Sequence, residues 1–168
     1  MRAFLSITMS GAMTVPALAA EMNVSIEIPK LNVAEYHRPY VSIWLEKPDQ
    51  SFVGNLAVWY KLKNNEGTKW LKDMRQWWRK SGRELDMPVD GLSSATRAPG
   101  EHRVRVALDK LPVKDLAEGE YQLVVEAARE VGGRELLRIP FQWPAKTAQN
   151  LKSKGEHELG NITLDLKP

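Results

Sequence analysis

The amino-acid sequence predicts a mainly β protein, an immunoglobulin-like β-sandwich of about seven strands with one inserted amphipathic helix. Three observations carry that expectation. Apolar and polar residues alternate in seven short runs, the period of a strand with one face in a core. Turn-forming residues separate the runs, most plainly Gly132-Gly133 between the fifth and sixth, where a hairpin is expected. One stretch alone repeats its apolar residues at helical spacing.

The chain opens with Met1-Arg2, an uncharged stretch from Ala3 to Val15, and Pro16 ahead of Ala17-Leu18-Ala19-Ala20. A basic start, a short apolar middle and an A-x-A exit are the parts of a cleavable signal peptide, with cleavage after Ala19 or Ala20. Ser6, Thr8, Ser10, Gly11 and Thr14 interrupt the stretch, which is too short to span a bilayer about 30 Å thick. Residues 1–20 are thus expected to direct export, leaving 21–168 as one domain with no direct membrane span.

Val24, Ile26 and Ile28 form the first run, Val41, Ile43 and Leu45 the second, and Leu56, Val58, Tyr60 and Leu62 the third. The helical stretch follows. Trp70, Leu71, Met74, Trp77 and Trp78 share one face, and Lys72, Asp73, Arg75, Gln76, Arg79 and Lys80 take the other. With Thr68 as N-cap and Gly82 as stop, the spacing predicts a helix over 69–81. Its three tryptophans either seal an open face of the sandwich or build a binding surface. Residues 82–100 show no periodicity and read as a long loop, a length that often signals function.

Val104, Val106 and Leu108 form the fourth run, and Tyr121, Leu123, Val125 and Ala127 the fifth. Leu136 to Trp143 is the sixth, and Ile162, Leu164 and Leu166 the seventh. Tyr121 opens its run after Glu118-Gly119-Glu120, the place of a corner tyrosine in sandwich folds. Residues 144–157 are polar and read as a flexible connection.

Composition narrows the function. Lysine and arginine number 24 against 21 acidic residues, a balance without the basic excess of a nucleic-acid binder. The absence of cysteine excludes thiolate zinc sites, iron–sulfur clusters and C-x-x-C-H haem attachment. His37, His102 and His157 lie far apart without ligand-like spacing, so no metal site is expected. No Ser–His–Asp arrangement or phosphate-cradling glycine loop stands out, and no enzymatic activity is expected.

The long loop carries Asp90-Gly91-Leu92-Ser93-Ser94-Ala95-Thr96-Arg97-Ala98-Pro99-Gly100. Four small residues ending in a hydroxyl present an uncrowded acceptor. A threonine hydroxyl is a weak nucleophile at its free pKa, and no histidine stands beside it in sequence. Thr96 therefore reads as a hydroxyl that another enzyme modifies, or else the loop is simply rich in turn formers.

Asp90 to Thr96 resembles the flavinylation motif Asp-x-x-Ser/Thr-Gly-Ala-Ser/Thr. That motif occurs in subunits of the sodium-pumping NADH:quinone reductase and the related ferredoxin:NAD reductase. There, a periplasmic FAD:protein FMN transferase joins FMN through its phosphate to the last hydroxyl. The resemblance implies Thr96 as acceptor, with Asp90, Ser93 and Ala95 as recognition positions; Ser94 replaces the glycine.

Tyr36 to Val41, Trp44 to Pro48, Leu56 to Tyr60, Lys69 to Lys72, Trp77 to Arg79, Ala95 to Gly100 and Glu126 to Glu130 extend the likeness. Together they resemble the predicted periplasmic proteins known as domain of unknown function 2271. The resemblance implies a periplasmic flavin carrier that serves a membrane redox protein bearing a PepSY domain. On that expectation Trp44, Trp59, Trp77 and Trp78 are candidate stacking partners for the flavin ring. Arg97, Arg103 and Arg79 are candidate partners for its phosphate, and His37 for a hydrogen bond. The competing expectation is a cofactor-free immunoglobulin-like binding or assembly module.

Overall fold

The computed structural model describes residues 20–110 and 112–168; all of the expected signal peptide except Ala20 lies outside the described residues. Among the described residues nine strands form two sheets. They are β1 (Glu21–Ile28), β2 (Tyr40–Glu46), β3 (Phe52–Tyr60), β4 (Ser93–Ala95), β5 (Gly100–Val106), β6 (Gly119–Ala128), β7 (Arg134–Trp143), β8 (Gln149–Lys154) and β9 (Asn161–Lys167). One sheet runs β5-β1-β9-β8 and the other β4-β3-β2-β6-β7. All pairings are antiparallel except β3 with β4.

The alternation of the sequence places the core between the sheets. Met22, Val24, Ile26 and Ile28 from β1 meet Val41, Ile43 and Leu45 from β2 and Leu123, Val125 and Ala127 from β6 in one buried cluster. Ile162, Leu164 and Leu166 join them from β9. Tyr121 donates its hydroxyl to the Ala117 carbonyl at 2.8 Å, the corner bond expected from its place at the strand start.

The third apolar run departs from its expected face. β3 carries bulges against β2 between Ile43/Trp44 and between Leu45/Glu46, and each shifts the register of the strand. Ala57 and Trp59 consequently enter the core between the sheets. Val58 and Tyr60 point the other way. β2 is buried along its whole length, including Ser42 and Glu46. This sheet is covered on both faces, so both alternating sets are apolar and period two alone does not say which faces in.

The cover is the tryptophan-rich segment, and it is less regular than a helix over 69–81. Residues Lys63–Asp73 form 3-10 turns broken by left-handed Asn64 and Asn65, and only α1 (Arg75–Lys80) is α-helical. Thr68 caps nothing; its hydroxyl donates to the Asn65 carbonyl at 2.8 Å. Glu126, reaching over from β6, accepts the amides of Gln76 (3.1 Å) and Trp77 (2.8 Å) and so holds the first turn of α1. Leu71, Met74 and Trp77 are buried on Tyr40, Trp44, Val58, Tyr60 and Val124, while Trp70 and Trp78 are half-buried at the rim. Gly82 matters for contact: a Cβ there would sit 2.5 Å from the Trp77 ring.

Two further segments are more ordered than expected. Residues 82–100 include the short edge strand β4, and 144–157 include β8, an edge strand of the other sheet. β8 offers one apolar residue, Leu151, among Lys152, Ser153 and Lys154, so its sequence carries almost no core signal. Lysines on an edge discourage unwanted strand pairing.

Candidate functional site

The chemistry suggested by the sequence converges on the segment 89–97. The local structure begins with a turn. The Ser93 hydroxyl accepts the Val89 amide at 3.0 Å, and the Val89 carbonyl accepts the Leu92 and Ser93 amides at 3.2 and 2.9 Å. Asp90 and Gly91 stand exposed at the tip. Gly91 is the left-handed residue of this turn, with φ +71°. Ser94, at the motif's glycine position, sits in extended strand, so the backbone there makes no demand for glycine.

The Val58 amide then donates to the Leu92 carbonyl at 2.9 Å, and β4 runs parallel to β3 with Ser93 opposite Val58, Ser94 opposite Trp59 and Ala95 opposite Tyr60. β4 is the outermost strand and has a neighbour on one side only. Thr96 follows at its end, half-exposed, at the end of the sandwich where β3 and β4 finish and β2 and β5 begin.

The next residues close that end. The Arg97 guanidinium lies 5.3 Å from the Trp59 ring centre, and the His102 ring meets Trp59 edge-on at 6.0 Å. His102 donates from Nε2 to the Ala98 carbonyl at 2.7 Å, which fixes the turn between β4 and β5. Trp59 itself is 2% exposed, and it serves as the floor on which Arg97 rests. Arg97 is exposed, so its remaining N–H donors are open to an anion. Among the described residues no carboxylate or imidazole is hydrogen-bonded to the Thr96 hydroxyl.

The other predicted contacts do not gather here. Trp44 and Trp77 are fully buried in the cluster under the helical cover, where Trp44 donates to Glu46 (2.9 Å) and Trp77 to Asn55 (2.8 Å). With Trp59 beneath Arg97, three of the four candidate tryptophans have no free ring face for a flavin. Trp78 and Arg79 line a hollow on the helical cover. Arg103 is on the outer face of the four-stranded sheet, opposite Ser25, with Glu101 at 3.7 Å. His37 lies in the β1–β2 connection, 2.8 Å from Glu35 and 3.8 Å from Glu130. It shares the Thr96 end of the sandwich, where β1 and β6 finish.

Sequence reasoning missed His102 and the buried carboxylates Glu46 and Glu126. His102 occupies an inward position of β5, opposite Ile26, and the alternation around Val104 and Val106 marks that face. Glu46 collects Trp44, Lys80 (3.1 Å) and Arg138 (3.2 Å), while Glu126 collects Arg134 (2.8 Å) besides the α1 amides. Both lie where the polar half of an alternating strand was expected to meet solvent.

Hollows elsewhere are of mixed character. One of about 590 Å³ lies on the four-stranded sheet beside Arg103, Arg105 and Asp165. Another of about 600 Å³ sits at the end of the sandwich away from Thr96, between Phe52, Gly54 and Leu116. Among the described residues no helix is long and apolar enough to cross a membrane.

Neither a curated protein nor a solved structure matches the chain. A family model does, over residues 21–161. The match begins with β1 and ends at the start of β9, taking in both sheets, the helical cover and the Asp90–Thr96 segment. The chain thus belongs to DUF2271, a family of predicted periplasmic proteins.

Proposed function

We propose that this protein is a periplasmic carrier of covalently held FMN, joined by its phosphate to Thr96, and not a catalyst itself. A periplasmic FAD:protein FMN transferase would load it, and a membrane redox protein with a PepSY domain would exchange electrons with it. The observation that carries the reading is the placement of Thr96: a half-exposed hydroxyl at the free end of an edge strand, next to a cation anchored on a buried tryptophan.

Each part of the segment has a task on this reading. The Val89–Ser93 bonds and the β3 ladder hold the approach to Thr96 in one extended path. Asp90 and Ala95 are exposed to a modifying enzyme. The transferase would take the hydroxyl proton as the phosphoester forms and AMP leaves. Arg97 would neutralise the remaining phosphodiester charge. FMN in that position would supply the redox centre. Ring contacts would come from the residues around Arg97 and not from Trp44, Trp59 or Trp77. Their burial is also what favours the competing reading, a cofactor-free binding or assembly module.

Co-expression with an FMN transferase in the periplasm tests the proposal by intact mass and visible absorbance. The wild type is expected to gain one FMN mass and a flavin spectrum, and Thr96→Ala to gain neither. No added mass on the wild type would remove the carrier reading and leave the binding module. A flavin retained by Thr96→Ala would move the attachment site.

A further inference from the structure

The helical cover concentrates the positive charge of the molecule. Residues 63–83 hold seven lysines and arginines against Glu66 and Asp73, a net +5, whereas the whole chain is +3; everything outside the cover is therefore net negative. Part of that charge has a structural use. Lys80 pairs with Glu46, Arg83 with Glu84, and Lys69 lies 5.3 Å from the Trp70 ring.

Lys72, Arg75 and Arg79 have no such use. They are exposed and, among the described residues, make no ion pair. Arg75 and Arg79 lie one turn apart on α1, where like charges repel, and Lys72 stands in the last 3-10 turn before them. They surround a hollow of about 390 Å³ with Gln76, Trp78 and Arg134, the last also bonded to Glu126. Trp78 is half-buried at this hollow, and Trp70 is half-buried on the same cover.

From this arrangement we infer that the helical cover docks on an anionic phospholipid bilayer. The chemistry that it fits is a plane of phosphate headgroups. Arginine and lysine at the surface bind such a plane through diffuse charge, each strengthening binding by about fivefold. Half-exposed tryptophans settle at the headgroup level, where one side of the ring is wet and the other apolar. A short amphipathic segment lying flat on the protein, with cations outward and Trp70 and Trp78 half-buried at its rim, has the composition of an interfacial anchor without the length of a span. The net negative remainder of the molecule would turn away from the same membrane, which fixes the orientation. This inference stands apart from the flavin at Thr96, and its test uses protein without flavin.

The experiment is co-sedimentation of the processed chain with vesicles of phosphatidylcholine alone and of phosphatidylcholine mixed with phosphatidylglycerol, at low and high salt. Binding is expected only to the mixed vesicles, lost at high salt, with a blue shift of tryptophan emission. Arg75→Gln/Arg79→Gln should weaken binding by roughly tenfold or more, two cations having been removed. Lys152→Gln/Lys154→Gln, on the edge of the other sheet, should leave binding unchanged. Circular dichroism and the unfolding midpoint establish that both variants remain folded. Absence of binding, equal binding to both vesicle types, or equal loss in the two double variants would overturn the inference. Binding to soluble polyglutamate without binding to vesicles would overturn it in favour of an acidic protein partner.

Discussion

Arg129 and Glu158 face each other as a buried pair, two parallel N–H···O bonds of 3.0 and 3.1 Å that join the end of β6 to the turn before β9. The pair ties one sheet to the other. Glu158 also accepts the Gly133 amide at 3.0 Å, and Glu135 returns the contact by accepting the amides of residues 156–159 at 2.7–3.1 Å. The hairpin glycines are needed for this closeness, while the left-handed position of the turn is taken by Val131, with φ +52°. A Cβ on Gly132 would press on the Arg129 guanidinium, and one on Gly133 on the Glu158 carboxylate.

Breaking that pair on one side should cost far more than removing it whole. Arg129→Met leaves Glu158 charged, buried and short of partners, and is expected to destabilise by about 3–5 kcal/mol. Arg129→Met/Glu158→Leu should recover most of that loss. Urea unfolding of the two singles and the double forms the cycle that measures it. Additive losses would mean that the two charges do not depend on each other.

Glu126 links the sheet to its helical cover, and its effect should be visible there first. Glu126→Gln retains one carbonyl for the α1 amides but loses the charge that serves Arg134. A loss of about 1.5–3 kcal/mol is expected, in the range of charge-assisted bonds. Tryptophan emission should shift before far-UV circular dichroism changes, because Trp77 loosens while the sandwich holds. Simultaneous transitions in both signals would show that cover and sandwich unfold as one unit.

How much of this was legible in the sequence depends on burial. Where a strand has one wet face, as β1 and β9 do, alternation located the element and its core side. β2, β3 and β6 lie between a second sheet and the cover. There the polar phase of the pattern (Ser42, Glu46, Glu126) is buried too, and the bulges in β3 shift its phase. β4 and β8 are edge strands with little apolar content, and their order comes from neighbours. At the candidate site the motif was readable because it is local in sequence. The Arg97–Trp59–His102 stack joins the turn between β4 and β5 to a residue of β3 far from it in sequence, and was not.

Gly82 illustrates a residue whose reason changed. It was expected to stop a helix, but its requirement is the flat approach of the Trp77 ring. Gly82→Ala should destabilise by about 1–3 kcal/mol through overpacking. A smaller residue at position 77 should relieve the clash, so Gly82→Ala is expected to cost less in a Trp77→Leu background. Thermal melts of the four proteins decide the matter. An equal cost in both backgrounds would assign the penalty to backbone conformation instead.

Alkaline pH should unfold this protein through its tyrosines. Burial raises the phenols of Tyr36, Tyr40 and Tyr60 above the ordinary value near 10, Tyr40 to about 12. Below pH 10 these groups are protonated in both states, and the stability that they contribute is fully present. Above it the unfolded chain ionises first and binds fewer protons, so stability falls as pH rises towards the folded values. Absorbance at 295 nm should therefore rise together with the loss of circular dichroism, between about pH 10 and 12. The Tyr60 hydroxyl is buried near Ser93 without a well-formed hydrogen bond, so Tyr60→Phe should be close to neutral at pH 7 and should blunt the alkaline loss. Free titration of Tyr40 and Tyr60 near pH 10 in folded protein would contradict their burial under the cover.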